Sequence, residues 1–204
     1  MKLILDSEGF PKAGMRILHF APEEGLAKYL RNIVGPENYH ARDIDVRRYQ
    51  TVGVKHFDLV LESHTLPDDY YDLVIHNHVM EHLPCNVTAI LYHLHRTLKP
   101  TGRHVFSIPI YSGSYDETFA EIEESERIKR FGQFDHVRRF GRDDLQQSVG
   151  MLFRIPNEYD ISKRFSSAQL AEYSIPETAR RGFTSNTVFC LKKSDLLLAP
   201  RGNA

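Results

Sequence analysis

Between Arg16 and Pro109 the chain alternates short apolar runs with segments of helical period. That alternation leaves few folds open. Strands separated by helices pair in parallel through right-handed crossovers, and the resulting sheet is covered on both faces. The first run is Arg16-Ile17-Leu18-His19-Phe20. Ala21-Pro22 ends it, and Leu26, Tyr29, Leu30 and Ile33 then recur at helical spacing until Gly35-Pro36 stops them. Pro22 suits a helix start, and Glu23 and Glu24 suit the positive end of its dipole.

Further strands are expected at residues 38–43, 57–61, 71–76 and 104–109. A helix over 85–98 sets Val87, Ile90, Leu91, Leu94 and Leu98 on one face. Residues 111–141 break the rhythm and read as an insertion, charged and aromatic. A helix over 143–149 and strands at 153–155 and 187–191 follow. Residues 157–183 show no clear period, and the tail from Leu198 is expected to fray. The 204 residues suit one domain.

Composition excludes several classes of function. A net charge of −1 gives no field that favours nucleic acid or an anionic membrane. No apolar run reaches the roughly 18 residues of a membrane span. Cys85 and Cys190 form neither a CxxC pair nor a disulfide framework, which favours a reducing compartment. Met1-Lys2-Leu3-Ile4-Leu5-Asp6 lacks a leader's apolar core, so a cytoplasmic location is expected.

In open parallel sheets, ligands bind beyond the carboxyl ends of the strands. The rule selects the loops after Phe20, Asp43 and His76. Around them the order of motifs resembles class I S-adenosylmethionine-dependent methyltransferases, in particular the methyltransferase type 11 group. Leu66-Pro67-Asp68-Asp69-Tyr70-Tyr71-Asp72-Leu73-Val74-Ile75-His76 is similar to that group's LPF…FDL stretch. Arg96-Thr97-Leu98-Lys99-Pro100-Thr101-Gly102 resembles its R-x-L-K-P-G-G turn, with Thr101 for one glycine. The first loop departs from the group. His19 stands at the acidic position, Ala21 and Glu23 at the first two glycines, and Gly25 is kept. It resembles a subgroup whose loop reads LHFAPE. Residues 126–141, containing Phe131-Gly132-Gln133-Phe134-Asp135-His136-Val137-Arg138, resemble that subgroup's FGQ-x-DHVR-x-YG signature, with Phe140 for Tyr.

The resemblance implies a Rossmann-like sheet of seven mostly parallel strands, with an antiparallel last strand and helices on both faces. It implies S-adenosylmethionine as cofactor, held by Phe20, Ala21, Glu23, Gly25, Asp43, Glu62, Asn77 and His78. Ala21 permits close backbone approach, and Glu23 offers its carboxylate to the cofactor's ammonium. A carboxylate at Asp43, preferred to Asp45, accepts from two ribose hydroxyls. Glu62 takes the adenine side. Gln133, Asp135, His136 and Arg138 are the expected substrate contacts, with Asp135 orienting His136 and Arg138 clamping an anion. His136 and His78 are the candidate bases. Glu81-His82 matches the structural end of the family's loop.

His78 and His82 are spaced like a zinc pair, but a loop interrupts them and Leu83-Pro84 follows, so no metal is expected. The leading expectation is methyl transfer to an oxygen or nitrogen of a small molecule, by a monomer or homodimer with no nucleic-acid or membrane partner. A catalytically silent binding or regulatory subunit is the alternative. A metal-dependent hydrolase built on the histidines is a third, weaker reading.

Overall fold

A computed structural model of the chain describes residues 1–198. The expected fraying of the tail beyond Leu198 lies outside the described residues. In chain order the strands are β1 (Ile17–Phe20), β2 (Tyr39–Asp43), β3 (Lys55–His56), β4 (Tyr71–Asn77), β5 (Leu98–Ser107), β6 (Ile110–Tyr111), β7 (Asp116–Glu117), β8 (Arg138–Gly141) and β9 (Phe189–Lys192). The helices are α1 (Lys2–Ser7), α2 (Glu24–Val34), α3 (Leu59–Glu62), α4 (Val87–Arg96), α5 (Glu124–Phe131), α6 (Val149–Leu152) and α7 (Ser167–Glu172).

The main sheet runs β3-β2-β1-β4-β5-β9. Every pairing is parallel except β5 with β9. All four residues of β1 are buried, as a strand covered on both faces requires. On one face Ala27, Leu30 and Val34 of α2 pack with Ile17, Leu73, Ile75 and Val105, joined by Leu5 of α1. On the other, Ile90, Leu91 and Leu94 of α4 pack with Leu18, Val74 and Phe106. A smaller sheet, β6-β8-β7, occupies the expected insertion.

The α/β class and the antiparallel edge strand agree with the sequence, and the details differ in four places. The main sheet has six strands among the described residues, not seven. Phe153 makes only an isolated antiparallel bridge to Leu196. β9 takes the place beside β5, and Pro156 ends the short apolar run. Residues 57–61 do not form a strand, since β3 precedes them and α3 begins at Leu59. The Asp58 carboxylate accepts from the amides of Val60 (2.8 Å) and Leu61 (3.2 Å), and Glu62 closes back on the Asp58 amide at 2.7 Å. These caps turn an apolar run of ambiguous period into a helix.

Residues 143–148 are turns, because Asp144 spends its carboxylate on the Tyr115 amide (2.8 and 2.9 Å). β5 begins at Leu98, and a register shift against β4 absorbs residues 99–102. A Cβ at Gly102 would lie 3.1 Å from three backbone oxygens, those of Tyr71, Asp72 and Lys99. The glycine of the Lys-Pro-Thr-Gly turn is therefore steric in origin.

His76 does not join the loop after β4. Its ring faces the core, stacked on Phe106 with centroids 4.9 Å apart. It heads a file of three buried histidines: His76 Nε2 lies 3.0 Å from His104 Nε2, and His104 Nδ1 lies 3.4 Å from His95 Nδ1. The far end is fixed by the Lys193 carbonyl, 3.2 Å from His95 Nε2. A carbonyl only accepts, so His95 donates there from Nε2 and accepts at Nδ1. His104 then donates from Nδ1 and accepts at Nε2, and His76 donates from Nε2. The atom left over is His76 Nδ1, which has no partner. It is left as a bare acceptor, a cheaper orphan than a bare N–H.

This order requires three neutral rings. Burial pushes His76 down to about 3 and His104 well below its ordinary value, and it lowers His95 as well. Above the ordinary histidine value near 6.5 the file costs nothing in protons. Below it the unfolded chain takes up protons that the folded file refuses, so stability falls as pH drops. We predict that the calorimetric Tm declines between pH 6.5 and 5, above the range in which most carboxylates titrate. A Tm that is flat or rising on acidification across this interval contradicts the assignment.

Candidate functional site

The carboxyl ends of β1, β2 and β4 open on one edge of the sheet. After β1 the chain turns at Ala21, whose φ is +46°. This is the left-handed region, which disfavours any residue with a Cβ by about 1–2 kcal/mol. The family's first glycine has been replaced here, but the glycine-like backbone has not. Glu23 then caps α2 in extended conformation, with Glu24 in the first turn. A Cβ on Gly25 would meet no atom within 4 Å, so the backbone at the N-terminal end of α2 borders open space.

Glu23 is the polar centre of this turn, and its side chain is 50% exposed. Asn77 Nδ2, at the end of β4, donates to Glu23 Oε1 at 2.6 Å. Ser107 Oγ, at the end of β5, donates to Asn77 Oδ1 at 3.0 Å. His19 Nε2 lies 3.3 Å from Glu23 Oε2 without hydrogen-bond geometry, and His19 Nδ1 contacts the Tyr39 hydroxyl at 2.7 Å. Burial alone would raise the Glu23 carboxyl, but His19 and Asn77 outweigh it and hold the group below its ordinary value. The site therefore presents a fixed negative charge at neutral pH.

Asp43 ends β2 and is buried. Its carboxylate accepts from the Asp45 amide at 2.8 Å and from the Tyr49 hydroxyl at 2.6 Å. Burial and the carboxylate together push the Tyr49 hydroxyl well above its ordinary value, so it stays a donor. These two contacts orient Asp43 and leave lone pairs over. Asp45 is committed to Arg47 at 2.8 and 3.0 Å. Ile44, next to Asp43 in sequence, is an exposed apolar residue (63%).

After β4, His78 also has positive φ, +51°. Its ring is half-exposed, with Nδ1 3.2 Å from Glu81 Oε1. Glu81 raises the His78 pKa above its ordinary value against the opposing effect of burial.

Several expected site residues hold other positions. The Phe20 side chain is core, edge-on to Phe57 with centroids 5.6 Å apart. Glu62 faces its own helix cap. Arg138 clamps no exterior anion, because it is fully buried. Its guanidinium donates to the carbonyls of Met80 and of Cys85 (2.7 Å), and to the Tyr115 hydroxyl (3.2 Å) and Glu117 (3.3 Å). It ties the insertion to the loop after β4. His136 is 3% exposed, which closes it off as a free base. Its Nδ1 meets the Phe131 carbonyl at 3.0 Å. Asp135 pairs with His82 at 3.2 Å rather than with His136. Gln133 lies exposed on the turn after α5.

The structure thus gathers Glu23, Asn77 and His78 at the carboxyl edge of the sheet, with Ala21, Gly25 and Asp43 on the neighbouring strand ends and turn. Sequence reasoning missed Ser107, Ile44 and Tyr49. The rule of strand carboxyl ends could have supplied Ser107, the last residue of β5.

Residues 2–149 match the family model described as a methyltransferase domain. No curated protein matches the chain in sequence. Among solved structures, an S-adenosylmethionine dependent methyltransferase from Mesorhizobium loti superposes with a TM-score of 0.53 at 16% identity, covering 92% of this chain and 94% of that one. A SAM dependent methyltransferase from Archaeoglobus fulgidus gives 0.52 at 16% identity, covering 93% and 91%. A putative methyltransferase from Haloferax volcanii, solved with the Trm112 methyltransferase activator, gives 0.51 at 13% identity, covering 74% and 66%.

The buried role of Arg138 has a measurable consequence. Arg138→Met leaves two interior carbonyls without donors, and we predict a loss of about 3 kcal/mol in urea unfolding. Gln133→Ala, on the exposed turn, should stay within about 0.5 kcal/mol of the parent. Equal effects of the two substitutions would refute the tie.

Proposed function

Because the chain belongs to the methyltransferase-domain family, we propose that it moves the methyl group of S-adenosylmethionine to an oxygen or nitrogen of a small molecule. We place it in the subgroup marked by Leu18-His19-Phe20-Ala21-Pro22-Glu23 and by the stretch from Phe131 to Gly141. The observation that carries the reading is the Glu23 carboxylate. It is half-exposed, held by Asn77, and stands beside the open backbone at Gly25.

The residues present fit this cofactor. Glu23 receives its ammonium in a charge-assisted contact. Asp43, oriented by Tyr49 and the Asp45 amide, accepts from the ribose hydroxyls. Ile44 offers an apolar wall to the adenine, a part that Glu62 leaves unfilled. When bound, the cofactor supplies an electrophilic methyl on a sulfonium. The protein's part is alignment and exclusion of water. His78, half-exposed at the end of β4 with Nδ1 3.2 Å from Glu81, is the residue we assign to removing a proton from the acceptor. This role passes to His78 because His136 is enclosed.

A silent subunit would have the nucleoside space filled from within, by His19 or Glu24. His19 turns inward to Tyr39, and Glu24 lies on the outer face of α2 with Lys28 and Thr51. The same proposal takes the enzyme to be cytoplasmic and a monomer or homodimer. In support, Cys85 and Cys190 are unpaired thiols that burial pushes upward, Cys190 to about 11. No helix among the described residues is long and apolar enough to cross a membrane.

Calorimetric titration tests the reading. We predict saturable binding of both S-adenosylmethionine and S-adenosylhomocysteine. A hydrogen bond to a charged group contributes about 1.5–3 kcal/mol, so Glu23→Gln should weaken S-adenosylmethionine about 10- to 100-fold. Glu24→Gln should change nothing. Failure of the parent protein to bind either compound sinks the proposal. With an acceptor found by release of S-adenosylhomocysteine, His78→Gln should lower kcat about 100-fold and leave cofactor affinity intact.

A further inference from the structure

We propose that Glu81, His82 and His136 form a binding site for a divalent first-row transition ion, with zinc as the reference. One donor atom from each lies within 4.8 Å of the other two. They come from two distant parts of the chain. Glu81 and His82 sit on the turn after β4, and His136 sits just before β8. The Val137 amide donates to the Glu81 carbonyl at 2.9 Å and holds the two segments together.

Two observations point to a ligand there. First, Glu81 is only 1% exposed, and neither carboxylate oxygen has a hydrogen-bond donor among the described residues. The nearest cation-forming group, His78 Nδ1, is 3.2 Å from Oε1 but lacks hydrogen-bond geometry. A carboxylate taken out of water calls for stronger compensation than this. Second, His136 already has an outer partner at Nδ1, the Phe131 carbonyl at 3.0 Å, which fixes the proton there and leaves its Nε2 with a lone pair. Metal-ligating histidines are held in this way. His82 Nδ1 lies 3.2 Å from the Asp135 carboxylate, close in charge but without hydrogen-bond geometry.

The donor set selects the ion. Two imidazole nitrogens and one carboxylate suit zinc, cobalt, manganese or iron. They do not suit calcium or magnesium, which take oxygen ligands. Around zinc at ~2.0–2.1 Å the donors stand about 3.3 Å apart, so the ion would draw these side chains inward. His82 is the one free to move, with a side chain 36% exposed. Three protein ligands leave a tetrahedral ion one position for an oxygen donor such as water. The pair that converges is His82 with His136, not the His78 and His82 of helical spacing. The inference concerns ligation alone and does not rest on the methyl-transfer reading, although Glu81 also stands 3.2 Å from His78.

The test uses full-length protein stripped with a chelator and titrated with zinc by calorimetry and with cobalt by visible absorption. We expect one equivalent bound with micromolar or tighter affinity, tetrahedral cobalt bands, and a rise in Tm with zinc. His82→Asn and His136→Asn should each weaken zinc at least 10-fold, and His56→Asn, on the exposed β3, should not. The half-exposed His82 makes the test decisive even if His136→Asn fails to fold. Absence of binding by the parent protein overturns the proposal. So does zinc affinity that His82→Asn leaves unchanged.

Discussion

Parallel pairing of β1 with β4 puts Phe20 opposite His76. The chain therefore leaves both strands at the same level, and the two exit loops must share one space. Glu23 and Asn77 meet because of this register, although 54 positions separate them. β5 pairs with β4 on the other side and ends at Ser107 opposite Asn77, which adds the third member of the chain. A slip of one residue in either ladder would send Asn77 to the other face of the sheet. The positive φ at Ala21 and at His78 belongs to the same constraint, since both loops reverse immediately at the strand ends.

The framework was legible wherever the apolar period was unambiguous. β1, β4, α2 and α4 lie close to where the run lengths and helical spacing put them. The failures came where side chains, not period, decide the backbone. Asp58 and Glu62 wrap an apolar run into a helix through contacts four residues apart, and Asp144 diverts a segment by bonding to a distant amide. Neither contact has a signature in hydropathy.

The site shows the same division. Glu23, Gly25 and Asp43, the expected cofactor contacts, stand by the strand ends where ligands approach in such sheets. Within the stretch from Gln133 to Arg138, His136 and Arg138 lie in the interior, because their residue types suit bracing as well as recognition. An arginine near an Asp-His pair reads as a clamp until burial is known. In the fold it replaces a missing stretch of regular structure, bonding two carbonyls of the loop after β4 and so shaping the wall on which Glu81 and His82 sit.

The file of histidines has a consequence for how this core can drift in sequence. His104 and His95 each take one hydrogen in and hand one onward, and His76 only donates, so the three rings share a single direction set by the Lys193 carbonyl. Replacing His104 by an apolar residue strands a donor on one side or an acceptor on the other. Replacing all three by apolar residues of matched volume strands only the carbonyl at the end. Substitutions here are therefore coupled: the intermediates between a wholly polar and a wholly apolar file are worse than either extreme, and lineages should be found at the two ends and not between them.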